Sequence, residues 1–526
     1  MTTEQFVEMV GRLEEYAGRE PEKYRLRVGL LAALGYAYVL LVLGILVALL
    51  YLLVWLAFTG GRFNVWVLKV GWVLLVLAWF VLRSLWVRIP APEGVRLTRE
   101  EAPRLFALAD ELAARLEAPR PHVIQVDADY NASLAQVPRL GPFGWQRNYL
   151  TLGLPLMQAL TPEQFRAVLA HELGHLSGNH GRFGSWVYRV RQTWAQLLER
   201  LEREERWGAF AFSKFVNWFA PYFNAYSFVL ARRHEYDADR AAAQLTGGRQ
   251  AAVALAAVEV KGAYLSRKYW PEIFKRADEQ REPTAGAFAG MWHALRAGVA
   301  RDEARAFLRG SLAQETGYGD THPSLSDRLK ALGLGPAEQE ALAEEVARGA
   351  EGGGAGETAA EHYLGDLRGE LSRRLDAEWC AGIEPSWRER HEYATKSRRE
   401  LAALEEKART KELSDEEAWS RAEWTAEFKG ADEAVPLLQE LTGRRRTAAA
   451  AHSLLGQILI SKEDAAGVEH LEKAMAEDAD YVPVACEVIY GYMRAQGRHE
   501  EAEAYRRRLL RHLDSARAEA RPSGRA

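Results

Sequence analysis

Along this chain of 526 residues the spacing of apolar positions changes several times. From Val28 to Gly61 no charged residue interrupts the run, and from Phe63 to Leu82 only Lys69 does. A helix needs about 20 apolar residues to cross a bilayer. The pattern therefore predicts a membrane hairpin over 25–88, with spans at 28–58 and 63–87. Trp66, Trp72, Trp79 and Trp86 suit the membrane–water interface. Residues 1–24 read as a short amphipathic helix ahead of the hairpin. Beyond it, 97–118 has helical periodicity, with Thr98 and Glu101 as a capping box. Strands are expected at His122–Val126, Tyr130–Val137 and Asn148–Gly153, with turns at Gly141-Pro142 and Gly144. The next helix is strongly marked. Thr161 is its N-cap, Pro162 its first residue, and Gln164 completes a capping box. Phe165, Val168, Leu169 and Leu173 form its apolar stripe, and Gly178 and Asn179 mark its end.

Residues 183–206 alternate aromatics with charges, whereas 207–231 are apolar except for Lys214. A single crossing here would separate His171 from Glu235, two residues assigned below to one site. The segment 183–232 is therefore read as a helical hairpin lying on or near the membrane surface. Residues 89–335 make one catalytic domain, and 336–360 a linker in which five of the eight residues 349–356 are glycine. The remainder, 361–515, is helical, followed by a tail over 516–526. Three similar stretches at 430–441, 462–474 and 497–509 recur near the 34-residue tetratricopeptide period. The expected fold class is mainly α with a small β-sheet (α+β).

Charge adds an orientation. Lys23, Arg25 and Arg27 precede the first span, Arg83, Arg88, Arg96 and Arg99 follow the second, and the loop between holds Arg62 alone. The positive-inside rule places both ends, and all that follows residue 88, in the cytoplasm beneath the inner membrane. The sequon Asn131-Ala132-Ser133 has no glycosylation meaning on that side. A net charge of −4 gives no electrostatic case for nucleic acid. Cys380 and Cys486 make neither a disulfide framework nor a thiolate metal site.

The candidate chemistry is His171-Glu172-Leu173-Gly174-His175. Histidines four apart on a helix converge on one metal ion, and the glutamate beside the first reaches a water rather than the metal. A third ligand is needed. His180 falls one residue short of the metzincin spacing, so that pattern is set aside. Glu235 and Asp239, four apart in Arg232-Arg-His-Glu-Tyr-Asp-Ala-Asp, share a helix face. On spacing alone that run is equally a solvated charged face. His234 points about 100° from Glu235 and reads as a surface residue. His122 and His293 read as structural.

The two elements His-Glu-Leu-Gly-His and Glu-Tyr-Asp-Ala-Asp resemble those of the integral-membrane zinc peptidases that include HtpX and the CAAX prenyl proteases. The resemblance spans about 28–335. It implies a gluzincin fold, one Zn²⁺ per chain on His171, His175 and Glu235, Glu172 as general base, and Asp239 supporting a ligand histidine. Asn131-Ala132 resembles the family's substrate-pairing strand. Thr321-His322-Pro323 with Arg328 resembles a late motif, from which His322 or Arg328 would support the oxyanion. A membrane-anchored zinc endopeptidase acting on misfolded or membrane polypeptides is expected, with the bilayer and a protein bound by the C-terminal helices as partners. The alternative is a non-catalytic membrane scaffold. An intramembrane protease is disfavoured, because Glu163 and Arg166 share the motif helix.

Overall fold

The uncharged run beginning at Val28 is the body of a 39-residue helix, α2 (Pro21–Thr59). It follows α1 (Thr3–Arg19). The expected helix over 1–24 ends early because Pro21 supplies no backbone donor and disfavours helical geometry at Glu20. This computed structural model describes residues 3–60, 65–85, 90–139, 146–177, 187, 190, 209–314, 316, 317, 322–351 and 356–519. The expected turns at 141–144, the helix end at Gly178 and Asn179, His180, most of 183–208 and Thr321 lie outside them. Among the described residues, α2 is the one helix long and apolar enough to cross a membrane. The second run forms α3 (Val65–Leu85), whose apolar stretch Val65–Trp79 is shorter.

The chain divides into two compact units. The first comprises Gln5–Ala263 and Phe288–Leu375, the second mainly Tyr264–Ala287 and Asp376–Ala526. In the first, a four-stranded sheet has the order β1-β2-β4-β3, from β1 (Val95–Leu97), β2 (Val123–Asp127), β3 (Ala132–Pro138) and β4 (Gln146–Gly153). β2 and β4 are parallel; the outer pairings are antiparallel. β1 replaces the start of the helix expected over 97–118, which forms only as α4 (Pro103–Arg115). Thr98 and Glu101 do bond reciprocally, at 2.8 and 3.4 Å, but they close a turn before α4. Pro103 then fixes the true start, because the residue before a proline is excluded from helical geometry.

After α5 (Leu154–Ala159), α6 (Pro162–Gly174) has the expected Thr161–Gln164 capping box. α7 (Ala209–Thr246) is one continuous helix containing Pro221. It runs antiparallel beside α2; most of the first arm of the hairpin expected over 183–232 lies outside the described residues. Tyr226 stacks on Tyr24 with ring centroids 5.6 Å apart, and Phe215 on Tyr38 at 3.8 Å. Phe215, Phe219 and Phe223, spaced four apart, present one aromatic face toward α2. Val187 and Val190 are buried in the same cluster. α8 (Gly248–Tyr264) follows.

The expected linker 336–360 is largely structured. Pro336–Glu351 is a helix that buries Leu342 and Ala347, and its Glu344 accepts from Arg305 at 2.8 and 2.9 Å. Helical spacing of these apolar residues outweighs the nearby glycines.

In the second unit, Trp387 donates to the Gln280 carbonyl (2.8 Å) and Arg390 to Asp278 (2.6 Å). Helix pairs follow at Asp415–Phe428 with Ala431–Leu441, Ala448–Ser461 with Ala466–Glu477, and Val482–Ala495 with His499–Glu519. Each of the three similar sequence stretches falls on the second helix of a pair.

Thr161→Ala removes the acceptor for the Gln164 backbone N–H. A loss of about 1 kcal/mol is expected, read as a lower denaturation midpoint at unchanged slope.

Candidate metal centre

α6 places His171 and His175 one turn apart, and α7 places Glu235 and Asp239 one turn apart. The two helices meet because residue 174 is glycine. A Cβ there would lie 3.2 Å from both the Ala238 Cα and the Ala241 Cβ, and 3.4 Å from the Ala238 carbonyl. Small residues on both faces allow the backbones to approach closely enough for short carboxylate side chains to reach across.

The result is a convergent donor set. Ligand atoms of His171, His175 and Glu235 all lie within 4.8 Å of one another. His171 Nε2 is 3.6 Å from Glu235 Oε2, and His175 Nε2 is 3.5 Å from Oε1. Two bonds of ~2.0–2.1 Å meeting at a tetrahedral angle would put donors ~3.3 Å apart. The donors are therefore spaced for a shared ion rather than for direct hydrogen bonds.

Surrounding groups fix their orientation. His171 Nδ1–H donates to Asp239 Oδ1 at 2.9 Å, which leaves Nε2 facing Glu235. Arg328 donates to both oxygens of Asp239, at 2.6 and 2.8 Å. Its 3.3 Å approach to His171 Nδ1 follows from sharing that carboxylate. His322 Nδ1 lies 2.9 Å from Glu235 Oε2. Burial works against charge on His171, but Asp239 and Glu235 outweigh it and carry this imidazole up to about 9. Burial, reinforced by His171, pushes His175 down to about 4. Burial would raise Glu235, yet His171 and His322 hold it well below the carboxylate range. Burial lifts Glu172 to about 7, with His171 pulling the other way. His171 and Glu235 thus hold each other in their charged forms, while burial keeps His175 neutral.

A cavity of about 290 Å³ adjoins this point. It brings together Asn131, Ala132, His171, Glu172, His322 and Arg328. Ala132 opens β3, an edge strand; Asn131 Oδ1 accepts from its N–H at 2.8 Å, and the Asn131 carbonyl accepts from Gly153 N–H at 2.7 Å. A Cβ at Gly153 would sit 1.6 Å from the Asp129 carbonyl, so only glycine permits that approach. Sequence reasoning passed over Gly153, Gly174 and Tyr130. The signal for Gly174 was the spacing of Ala238 and Ala241 on the opposing helix. His234 is half-buried rather than a surface residue. His122 is structural, its Nδ1 accepting from Asn148 N–H at 3.1 Å, and His293 is exposed.

Two histidines and a glutamate around one point, with a second glutamate between the histidines on the same helix, form a centre of the kind metallopeptidases use. Residues 99–333 match the model of Peptidase family M48. It is 29% identical over 180 residues to a "Protease HtpX homolog" of Moorella thermoacetica, covering 31% of this chain and 56% of that protein. It is also 29% identical over 289 residues to "Protease HtpX homolog 1" of Streptomyces coelicolor, covering 51% of this chain and 82% of that one. The match to the Moorella protein therefore spans little more than half its length.

Glu235→Ala removes one of the three donors and is expected to abolish stoichiometric metal by elemental analysis. Gly174→Ala forces α6 and α7 apart by a few tenths of an ångström. Metal affinity should fall about 10–100-fold, as when supporting residues of metal sites are lost, and competition with a chromogenic chelator measures it.

Proposed function

We propose that this protein is a membrane-anchored zinc endopeptidase, with one Zn²⁺ held by His171, His175 and Glu235. The supporting observation is that these donors converge while Glu172 lines the adjoining cavity. Nitrogen and carboxylate donors with a fourth position free suit zinc, which when bound would polarise a carbonyl and acidify a water. Glu172 takes the proton of the attacking water and passes it to the leaving amine. β3, an edge strand among the described residues, aligns an extended substrate by backbone pairing from Asn131-Ala132 onward. His322, hydrogen-bonded to Glu235 and exposed to the cavity, donates to the developing oxyanion. Arg328 positions Asp239 and through it His171.

In this reading α2 and α3 anchor the chain and the peptidase domain is cytoplasmic, at the inner membrane. α7 returns beside α2, and Val187 and Val190 share its apolar cluster. An even number of passages between His171 and Glu235 keeps both on one side. Misfolded or membrane polypeptides are the substrates, and the helix pairs of the second unit bind a protein partner.

Glu172→Gln is expected to retain zinc while losing cleavage of casein by detergent-purified protein. Undiminished cleavage in that variant would sink the assignment. A chelator should silence the wild type, and added zinc should restore it.

A further inference from the structure

We infer that α8 forms one wall of a specificity pocket for a bulky apolar side chain next to the scissile bond. The inference rests on the peptidase reading and names the substrate class of the same site. Ala251, Ala254, Leu255 and Val258 follow one another at i, i+3, i+4 and i+7 on α8, and all four line the cavity that holds His171 and Glu172. Ala251 and Ala254 are 4% and 2% exposed. Their side chains stop at Cβ, so the volume that larger residues would fill stays open beside the reacting centre. Facing them, Ala167 and Val168 come from α6, four and three residues before His171. Leu156 and Leu325 add further apolar surface.

The charges of the lining do not select a charged side chain. Asp239 and Arg328 satisfy each other. Glu259 lies one residue beyond Val258, is exposed, and already accepts from Ser311 Oγ at 3.2 Å. Glu172 and His322 belong to the centre itself. The pocket therefore runs from metal donors, past small apolar residues, to an acid at its solvent end.

Tyr130 ties this wall to the edge strand. Its hydroxyl donates to the Val258 carbonyl at 3.0 Å, and its ring lies against Gly262, where a Cβ would be 3.0 Å from the Tyr130 Cε1. The strand offered to substrate backbone and the wall offered to its side chain are thus held in one register.

The test uses full-length, zinc-loaded protein in detergent. Peptides carry Ala, Leu, Phe, Arg or Asp at each residue flanking the scissile bond. At one of the two positions, Leu or Phe should exceed Ala and Arg in kcat/KM by at least about 10-fold, within the range a hydrophobic pocket discriminates. Ala254→Phe fills the pocket and should cut the Leu-over-Ala ratio by about 10-fold or more. Val258→Ala widens it and should move the preference toward Phe. Zinc content and the thermal midpoint identify a variant that has merely failed to fold, in which case Val258→Ala decides alone. Cleavage with no size preference, or ratios unmoved by both variants, overturns the pocket and leaves the peptidase reading standing. Preference for Arg assigns the pocket to Glu259 and also overturns the inference. No cleavage of any peptide by zinc-loaded wild type overturns both.

Discussion

The contact between Gly174 and Ala238 is the constraint on which the site depends. His171 and His175 stand on one helix, Glu235 and Asp239 on another, and carboxylate side chains reach only a few ångströms. If the backbones were held apart by ordinary side chains, the donors would not lie within 4.8 Å. The gap is closed by a glycine facing alanines rather than by any attraction between the donors. Like charges at Glu235 and Asp239, one turn apart, would repel. His171, His322 and Arg328 offset this by pairing with them. The centre is a polar network in which both oxygens of Asp239 and one oxygen of Glu235 are hydrogen-bonded. Such networks hold their geometry only when complete.

That network also explains why His322 and Arg328, distant in sequence, belong to the site. Arg328 stands on the short helix Leu325–Ala331, capped by Ser324, which accepts from Asp327 N–H at 3.3 Å. Thr316 accepts from Ser324 N–H at 2.8 Å. The cap therefore fixes the start of the helix that delivers the guanidinium to Asp239. Local capping thus positions the ion pair.

Legibility in the sequence followed the range of the interaction involved. His171, Glu172 and His175 were readable because one helical turn relates them. The Thr161 cap was readable because its partner is three residues away. Three strands were readable from short apolar runs, but β1 was not. It is three residues long, and its partner lies in β2, which the local pattern of Val95–Leu97 does not reveal. Glu235 came only with resemblance, since 60 residues of chain and a close helix contact separate it from His175. The packing partner of α7 was not legible for a related reason. The stripe Phe215, Phe219 and Phe223 is as compatible with lipid as with a neighbouring helix, and only Tyr24 and Tyr38 on α2 decide between them. Gly153 and Gly174 carry no chemistry, so nothing in their local sequence advertises how closely another backbone passes.

The continuity of α7 has a mechanical consequence. One unbroken rod joins Phe215, stacked on α2, to Glu235 at the donor set, 20 residues and ~30 Å away along the axis. A lever of that length magnifies small rotations. A tilt of ~1° about its packed end displaces the other by ~0.5 Å, the whole tolerance of a preorganised site. The packing of Tyr38 against Phe215 therefore calibrates a carboxylate it never touches, and the shape of the aromatic half of α7 becomes an input to the geometry of the other.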